Sequence, residues 1–336
     1  MKSIYYDLRA FAAPLPNGLR SPNCGNHPVG MARLVWAAAT IGTTPFGPRL
    51  RAGQALELQW RSAMMQASIQ PVRGVYSRSA SYNRLDPAEK SAVSFFLGQA
   101  QAKVFAHDFF GVSRFVHLDA YLTYLGAPRS RTRPDFIGFH GRQVAVAAEV
   151  KGRSNGYTDT LVTNAKKQAS NLPQIAGHPT SATYAHVAYF NHGEWCAHLE
   201  DPPHQRRAAG IDPAMLTVAY YLPVVSAIRS RDPDNRRFEG EDTPYLAAYF
   251  VEADLTVSVR ADIAKRVPVD NGGSPEAQTL KASALYEWVL RLDEAGPEAF
   301  ERRSALEEDD FRFLGGDGVL VELGPSWREW NERPLG

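Results

Sequence analysis

Arg133-Pro134-Asp135-Phe136-Ile137-Gly138-Phe139-His140-Gly141-Arg142-Gln143-Val144-Ala145-Val146-Ala147-Ala148-Glu149-Val150-Lys151 is the stretch on which the reading of this chain turns. Residues 136–139 and 144–150 are short, apolar and β-prone, and His140-Gly141-Arg142-Gln143 supplies turn chemistry between them, so the stretch is predicted to form a hairpin. Side chains alternate faces along a strand. Glu149 and Lys151 therefore share one face with Ala145 and Ala147, while Val144, Val146 and Val150 share the other. A strand this apolar is usually buried on both sides, where an uncompensated carboxylate or ammonium is costly.

Asp135 is the natural participant in that compensation. Folding the hairpin about Gly141-Arg142 brings it opposite residues 147–149, and adjacent strands lie about 4.8 Å apart. Two carboxylates that close repel unless one is protonated or a cation lies between them, and an oxygen site of carboxylates and carbonyls suits Mg²⁺. Lys151 would aim its ammonium at the same spot, where it could help deprotonate a water and neutralise charge developing on a phosphate. A different reading of the same residues makes Glu149 and Lys151 an edge-strand charge pair, with Asp135 capping the turn after Pro134.

Working outward, Asp86-Pro87-Ala88-Glu89 carries an N-cap, a first-turn proline and a box-like glutamate, which predicts a helix from there to about residue 107. Residues 114–121 read as β-prone, 160–174 as a helix carrying Lys166, Lys167 and Gln168, 183–190 as a buried strand and 195–199 as another. Residues 30–41 and 52–67 could be helical. Asp212-Pro213 opens an apolar stretch to residue 228, interrupted by Pro223, and 245–259 resembles a strand pair split near Ala253-Asp254.

Pro134-Asp135, thirteen residues, then Glu149-Val150-Lys151 resembles the signature of the PD-(D/E)XK nuclease superfamily, the restriction-endonuclease-like fold. That resemblance implies an α/β core, a central mixed sheet flanked by helices, with a helix before the hairpin and a helix and strand after it. It implies that Asp135 and Glu149, with the Val150 carbonyl, ligate Mg²⁺ or Mn²⁺, that Lys151 assists the attacking water, and that Gln168 orients it. Many members also carry a glutamate in the first helix, where this chain offers Gln99 and Gln101. The domain organisation expected is an N-terminal accessory region at 1–85, the nuclease-like core at 86–260 and an acidic C-terminal element at 261–336.

Substrate contacts would come from cations. Residues 103–167 hold ten Lys or Arg against five Asp or Glu, among them Arg129, Arg131, Arg133, Arg153, Lys166 and Lys167, the candidate phosphate contacts. Residues 270–336 hold fifteen acidic residues against seven basic ones, which hides this excess in a net charge of +1. Tyr157, in the loop after Arg153, is available to stack on a base.

Two cysteines exclude a disulfide framework, a four-thiolate zinc site and a cysteine-ligated iron–sulfur cluster. His186, His192, His198 and His204 recur at six-residue spacing near Cys196 but lack a compact ligand pair, so buried structural roles suit them better. No phosphate-binding Gly-rich loop with Lys-Ser/Thr is present, which excludes a nucleotide-driven motor. The start lacks the apolar segment of a secretory signal, and no apolar run reaches membrane-spanning length, so a cytoplasmic protein without membrane contact is expected.

The function expected is metal-dependent hydrolysis of DNA phosphodiester bonds, as in the restriction or other defence endonucleases that such stand-alone chains resemble. Cutting both strands of a duplex would favour a homodimer. The alternative is a noncatalytic nucleic-acid-binding or scaffold protein on a degenerate nuclease fold.

Overall fold

The computed structural model describes residues 1–41, 51–124, 133–171, 178–179, 182–202, 208–209, 212–237, 243–269, 274–295 and 310–332. In chain order, β1 (Lys2–Arg9), β2 (Asn23–Val29), α1 (Met31–Thr40), α2 (Arg51–Ser68), β3 (Ile69–Val72), β4 (Val75–Arg78) and α3 (Ala80–Arg84) come first. The long helix α4 (Pro87–Phe110) leads to β5 (Arg114–His117), α5 (Leu118–Tyr124), β6 (Phe136–His140), β7 (Gln143–Gly152), α6 (Asp159–Ala169) and the two-residue β8 (His178–Pro179). Next are β9 (Ala182–Asn191), β10 (Glu194–Glu200), the two-residue β11 (Ala208–Ala209), α7 (Pro213–Arg229) and β12 (Asp234–Arg236). The described chain ends with β13 (Tyr245–Phe250), β14 (Leu255–Arg260), α8 (Ala261–Ala264), α9 (Pro275–Glu294), β15 (Arg312–Leu314), β16 (Val319–Leu323) and α10 (Pro325–Glu332).

A nine-stranded mixed sheet runs in the order β2-β1-β4-β10-β9-β7-β6-β5, with β3 attached to β4, and helices flank it. Within it β5, β6 and β7 are antiparallel neighbours, and α6 carries the chain over to β9, which runs parallel to β7. The hairpin therefore forms as expected, and Gly141 takes the left-handed φ of +62° at its turn. Helix α4 begins at the expected cap. Asp86 accepts from the backbone N–H of Ala88 (2.7 Å) and Glu89 (2.9 Å), and the Glu89 carboxylate accepts from the N–H of Asp86 at 3.0 Å.

Helix α4 crosses β7 at an unusually close point. A Cβ on Gly152 would collide with the Ser94 carbonyl oxygen, and one on Gly98 would stand 3.1 Å from the Gly152 Cα. The crossing fixes the faces of β7: Ala148, Val150 and Gly152 look toward α4, so Glu149 and Lys151 look away from it.

Two expectations about single elements are corrected. β5 ends at His117, because the Leu118 N–H donates to the Asp135 carbonyl at 2.8 Å and the chain then winds into α5. Pro223 sits inside one continuous helix, α7, rather than interrupting it. Residues 1–85 supply strands of the main sheet itself, since β1 pairs parallel with β10 in the register Tyr5↔Cys196 to Arg9↔Glu200. Position 260 likewise falls within a packed unit, because β14 and β16 are neighbours in a five-stranded antiparallel sheet ordered β12-β13-β14-β16-β15.

Buried polar groups join the two layers. The Asp317 carboxylate accepts from Trp36 Nε1 (3.1 Å) and Tyr220, and the Asp317 carbonyl accepts from Tyr221 at 2.7 Å. Arg114 is buried and ion-paired with Asp293 of α9, so it is a structural cation. The Glu307–Asp309 part of the acidic run and the tail of the helix expected to reach residue 174 lie outside the described residues. Among the described residues no helix is long and apolar enough to cross a membrane.

Candidate active site

Asp135 lies one residue before β6, and the ladder pairs Phe136 with Ala148, which sets Asp135 opposite Glu149. The placement is anchored by backbone: Asp135 Oδ2 accepts from the Val150 N–H at 2.9 Å. Glu149 is 1% exposed, and Lys151 reaches back along the strand to bond its Oε1. The other carboxylate oxygen, Glu149 Oε2, is buried and receives no hydrogen bond. Such an orphan is expensive in an interior and marks a place built for a partner.

The electrostatics say the same. Burial, then the facing Asp135 carboxyl, push the Glu149 pKa upward against the pull of Lys151. Asp135 is also raised, by burial, although the Val150 N–H and Lys151 favour its charged form. Their facing charges repel, and a proton on one of them would relieve the pair. A hard cation between them would take the proton's place. Mg²⁺ is commonly held by one or two carboxylates with water and phosphate oxygens completing the octahedron, so Asp135 and Glu149 fit that ion with few protein ligands. Among the described residues no group of three or more His, Cys, Asp or Glu side chains is arranged to hold a metal.

Helix α6 covers this same face. Lys151 is in register with Val187, and Val187 with His198, so the three share a face, and the His198 ring meets that of Tyr157 at 5.0 Å. Tyr157 also packs on Tyr189 at 4.7 Å, so its ring serves the approach to α6 instead of standing ready for a base. Gln168 is half-buried near the C-terminal end of α6, between the buried Ala165 and Ala169.

The candidate phosphate contacts divide. Lys167 and Arg153 are exposed. Lys166 is held by Glu200 at 2.5 Å and Arg133 by Asp119, so both cations already have carboxylate partners. Arg129 and Arg131 lie outside the described residues.

Both first-helix amides already have partners. Gln101 is buried and donates to the Cys196 carbonyl (3.3 Å) while bonding His186 Nε2 (2.9 Å), which fastens α4 to β9 and β10. Gln99 accepts from Arg61 at 3.4 Å. Burial pushes His186 down to about 3, so it is a neutral core imidazole, and His198 stands between Asp7 (3.4 Å) and Glu200 (3.0 Å). His204 lies outside the described residues.

Sequence reasoning missed His117 and Asp119. Burial lowers the His117 pKa, while the charges of Asp135 and Asp119 raise it, so all three groups share one neighbourhood with Arg133 and Arg61. Ending β5 at His117 would have shown it, since His117 pairs with Phe136, the residue after Asp135. Comparison with protein-family models, with curated proteins and with solved structures finds no match.

Proposed function

We propose that this chain is a metal-dependent nuclease of the PD-(D/E)XK type that hydrolyses DNA phosphodiester bonds in the cytoplasm. The observation that carries the reading is the buried Glu149 oxygen without a donor, facing Asp135 and flanked by Lys151. The succession α4, three antiparallel strands, α6 and a strand parallel to β7 supports it, because it is the order that the motif implies for a restriction-endonuclease-like core.

Asp135 and Glu149, with the Val150 carbonyl, would hold Mg²⁺ or Mn²⁺. When bound, such an ion supplies a nucleophilic water and screens the phosphate oxygens. The protein's own part follows from position. Asp135 is fixed by the Val150 N–H, so its carboxylate keeps its aim without reorganisation. Lys151, 28% exposed on its side chain, can release Glu149 and turn its ammonium toward a phosphate at the mouth of the site. There it would neutralise charge as the bond to the leaving oxygen lengthens. Gln168 would orient the water from α6, and Arg153 and Lys167 would hold flanking phosphates.

One observation favours the scaffold reading: the Glu149–Lys151 contact is already made inside the strand, as a structural pair would be. Calorimetric titration with Mn²⁺ separates the two. The nuclease reading expects binding that disappears in Asp135→Asn and in Glu149→Gln, and a flat titration of the folded wild-type protein would sink it.

A further inference from the structure

A cavity of about 350 Å³ opens where the C-terminal ends of α7 and α8 meet α9. Its charged lining is basic: Arg229 closes α7, Lys265 and Arg266 follow α8, and Lys281 comes from the second turn of α9. No Asp or Glu among the described residues lines it. Asp262, beside these cations on α8, is held by Arg260 at 2.6 Å. The rest of the wall is apolar, from the turn at Val267–Val269 and from Ala284.

Helix-end chemistry accounts for two of the four cations. Arg229 donates to the Ala264 carbonyl at 2.8 Å and Arg266 to the Asp262 carbonyl at 2.6 Å, so both serve the C-terminal end of α8. The Arg266 guanidinium also lies 4.0 Å from the Trp288 ring centre, a contact that steadies it. Lys265 and Lys281 are different. Both are exposed, and neither ammonium has a partner among the described residues. Charges of one sign gathered around a cavity focus their field into it and concentrate anions there.

The chemistry of the occupant follows from charge and size. One cation suffices for a lone carboxylate, whereas a chain of phosphoryl groups carries several charges and enough acceptor oxygens to serve lysine and arginine donors together. A volume of about 350 Å³ falls in the range of small-molecule sites. We propose that this cavity binds a small molecule carrying a chain of phosphoryl groups, a nucleoside polyphosphate or an inorganic polyphosphate, with Lys265, Arg266 and Lys281 as its charge partners. The site shares no residue with Asp135, Glu149 and Lys151, and it stands whether or not those residues hydrolyse DNA.

Calorimetric titration of the full-length protein in EDTA tests this, with ATP, inorganic tripolyphosphate and adenosine as probes. Both polyphosphates are expected to bind at a single site and adenosine is not. Lys265→Ala and Lys281→Ala should each weaken that binding about fivefold or more, with melts unchanged in the absence of ligand because both side chains are exposed. Lys90→Ala, on α4, should leave the affinity as it is. Tighter binding of ATP than of tripolyphosphate would assign the apolar wall to the nucleoside, and equal affinities would assign the site to the phosphate chain alone. Absence of binding by both polyphosphates would overturn the proposal, as would unchanged affinity in both lysine variants or an equal loss in Lys90→Ala. An oligothymidylate that binds through the same two lysines more tightly than ATP would overturn it too, by making the surface a nucleic-acid contact.

Discussion

Asp135 and Glu149 face each other across the β6–β7 pair, and both carboxyls are held above their ordinary pKa. A carboxyl whose folded pKa is raised stabilises the fold most when protonated, so its contribution is lost as pH rises above the ordinary glutamate value of 4.5. Glu149→Gln removes that loss. The variant is expected to melt at or above the wild-type temperature at neutral pH in the absence of metal, and to flatten the decline between acidic and neutral pH. A melting series in which the variant is clearly less stable at neutral pH would contradict the stated cause.

The crossing of α4 over β7 depends on Gly152. A methyl group there collides with the Ser94 carbonyl oxygen, a backbone atom that can move only with its helix. Gly152→Ala is therefore expected to cost about 1–3 kcal/mol or more in a denaturant titration, since overpacking against backbone has no soft escape. An unchanged midpoint would show that α4 is not tied to the strand as described.

Much of this geometry was legible beforehand, for physical reasons that are local. The Asp86 cap, the Gly141 turn and the alternation from Val144 to Lys151 act over a few residues, so they can be read from neighbours in sequence. Asp135, Glu149 and Lys151 could be singled out by their spacing, but the pairing at the turn, continued, would set Asp135 opposite Ala148; a register shift at Gly138/Phe139 sets it opposite Glu149. What escaped depends on distant partners. Lys166 reads as a phosphate contact until Glu200 arrives from β10. β2 contains Asn23, Gly25, Asn26 and Pro28, which are turn residues by composition, and it becomes a strand only by pairing along β1.

Gln101 illustrates the same point and can be checked. Its amide joins α4 to the Cys196 carbonyl and His186, away from the carboxylate pair. Gln101→Leu should cost about 1–3 kcal/mol, because it strands those partners in the core, and should leave Mn²⁺ affinity intact. Loss of metal affinity in a folded Gln101→Leu protein would place the residue in the site after all.

Lys103 gives a pH signature far from the carboxylates. It is fully buried, donates to Tyr220 at 2.6 Å and to Thr40, and lies 4.1 Å from the Trp36 ring centre. Burial draws its pKa down from 10.5 to about 7, with Asp317 opposing. The unfolded lysine holds its proton through this window while the folded one sheds it, so the Lys103 contribution to stability rises with pH from about 7. The window closes near 9.0, where Cys196, raised when folded, begins to act in the other direction. Lys103→Met should remove the rise, and equal slopes in the two proteins would rule this account of Lys103 out.

The most direct measurement is cleavage of supercoiled plasmid by the purified protein in Mg²⁺ or Mn²⁺, beside Lys151→Ala and Glu149→Gln shown by circular dichroism to be folded. Nicked or linear product from the wild type, reduced about a hundredfold or more in both variants and abolished by chelation, is the expected result. Cleavage that persists in both folded variants, or a wild-type protein that neither cuts nor binds metal, would contradict the assignment of Asp135, Glu149 and Lys151 as a hydrolytic site.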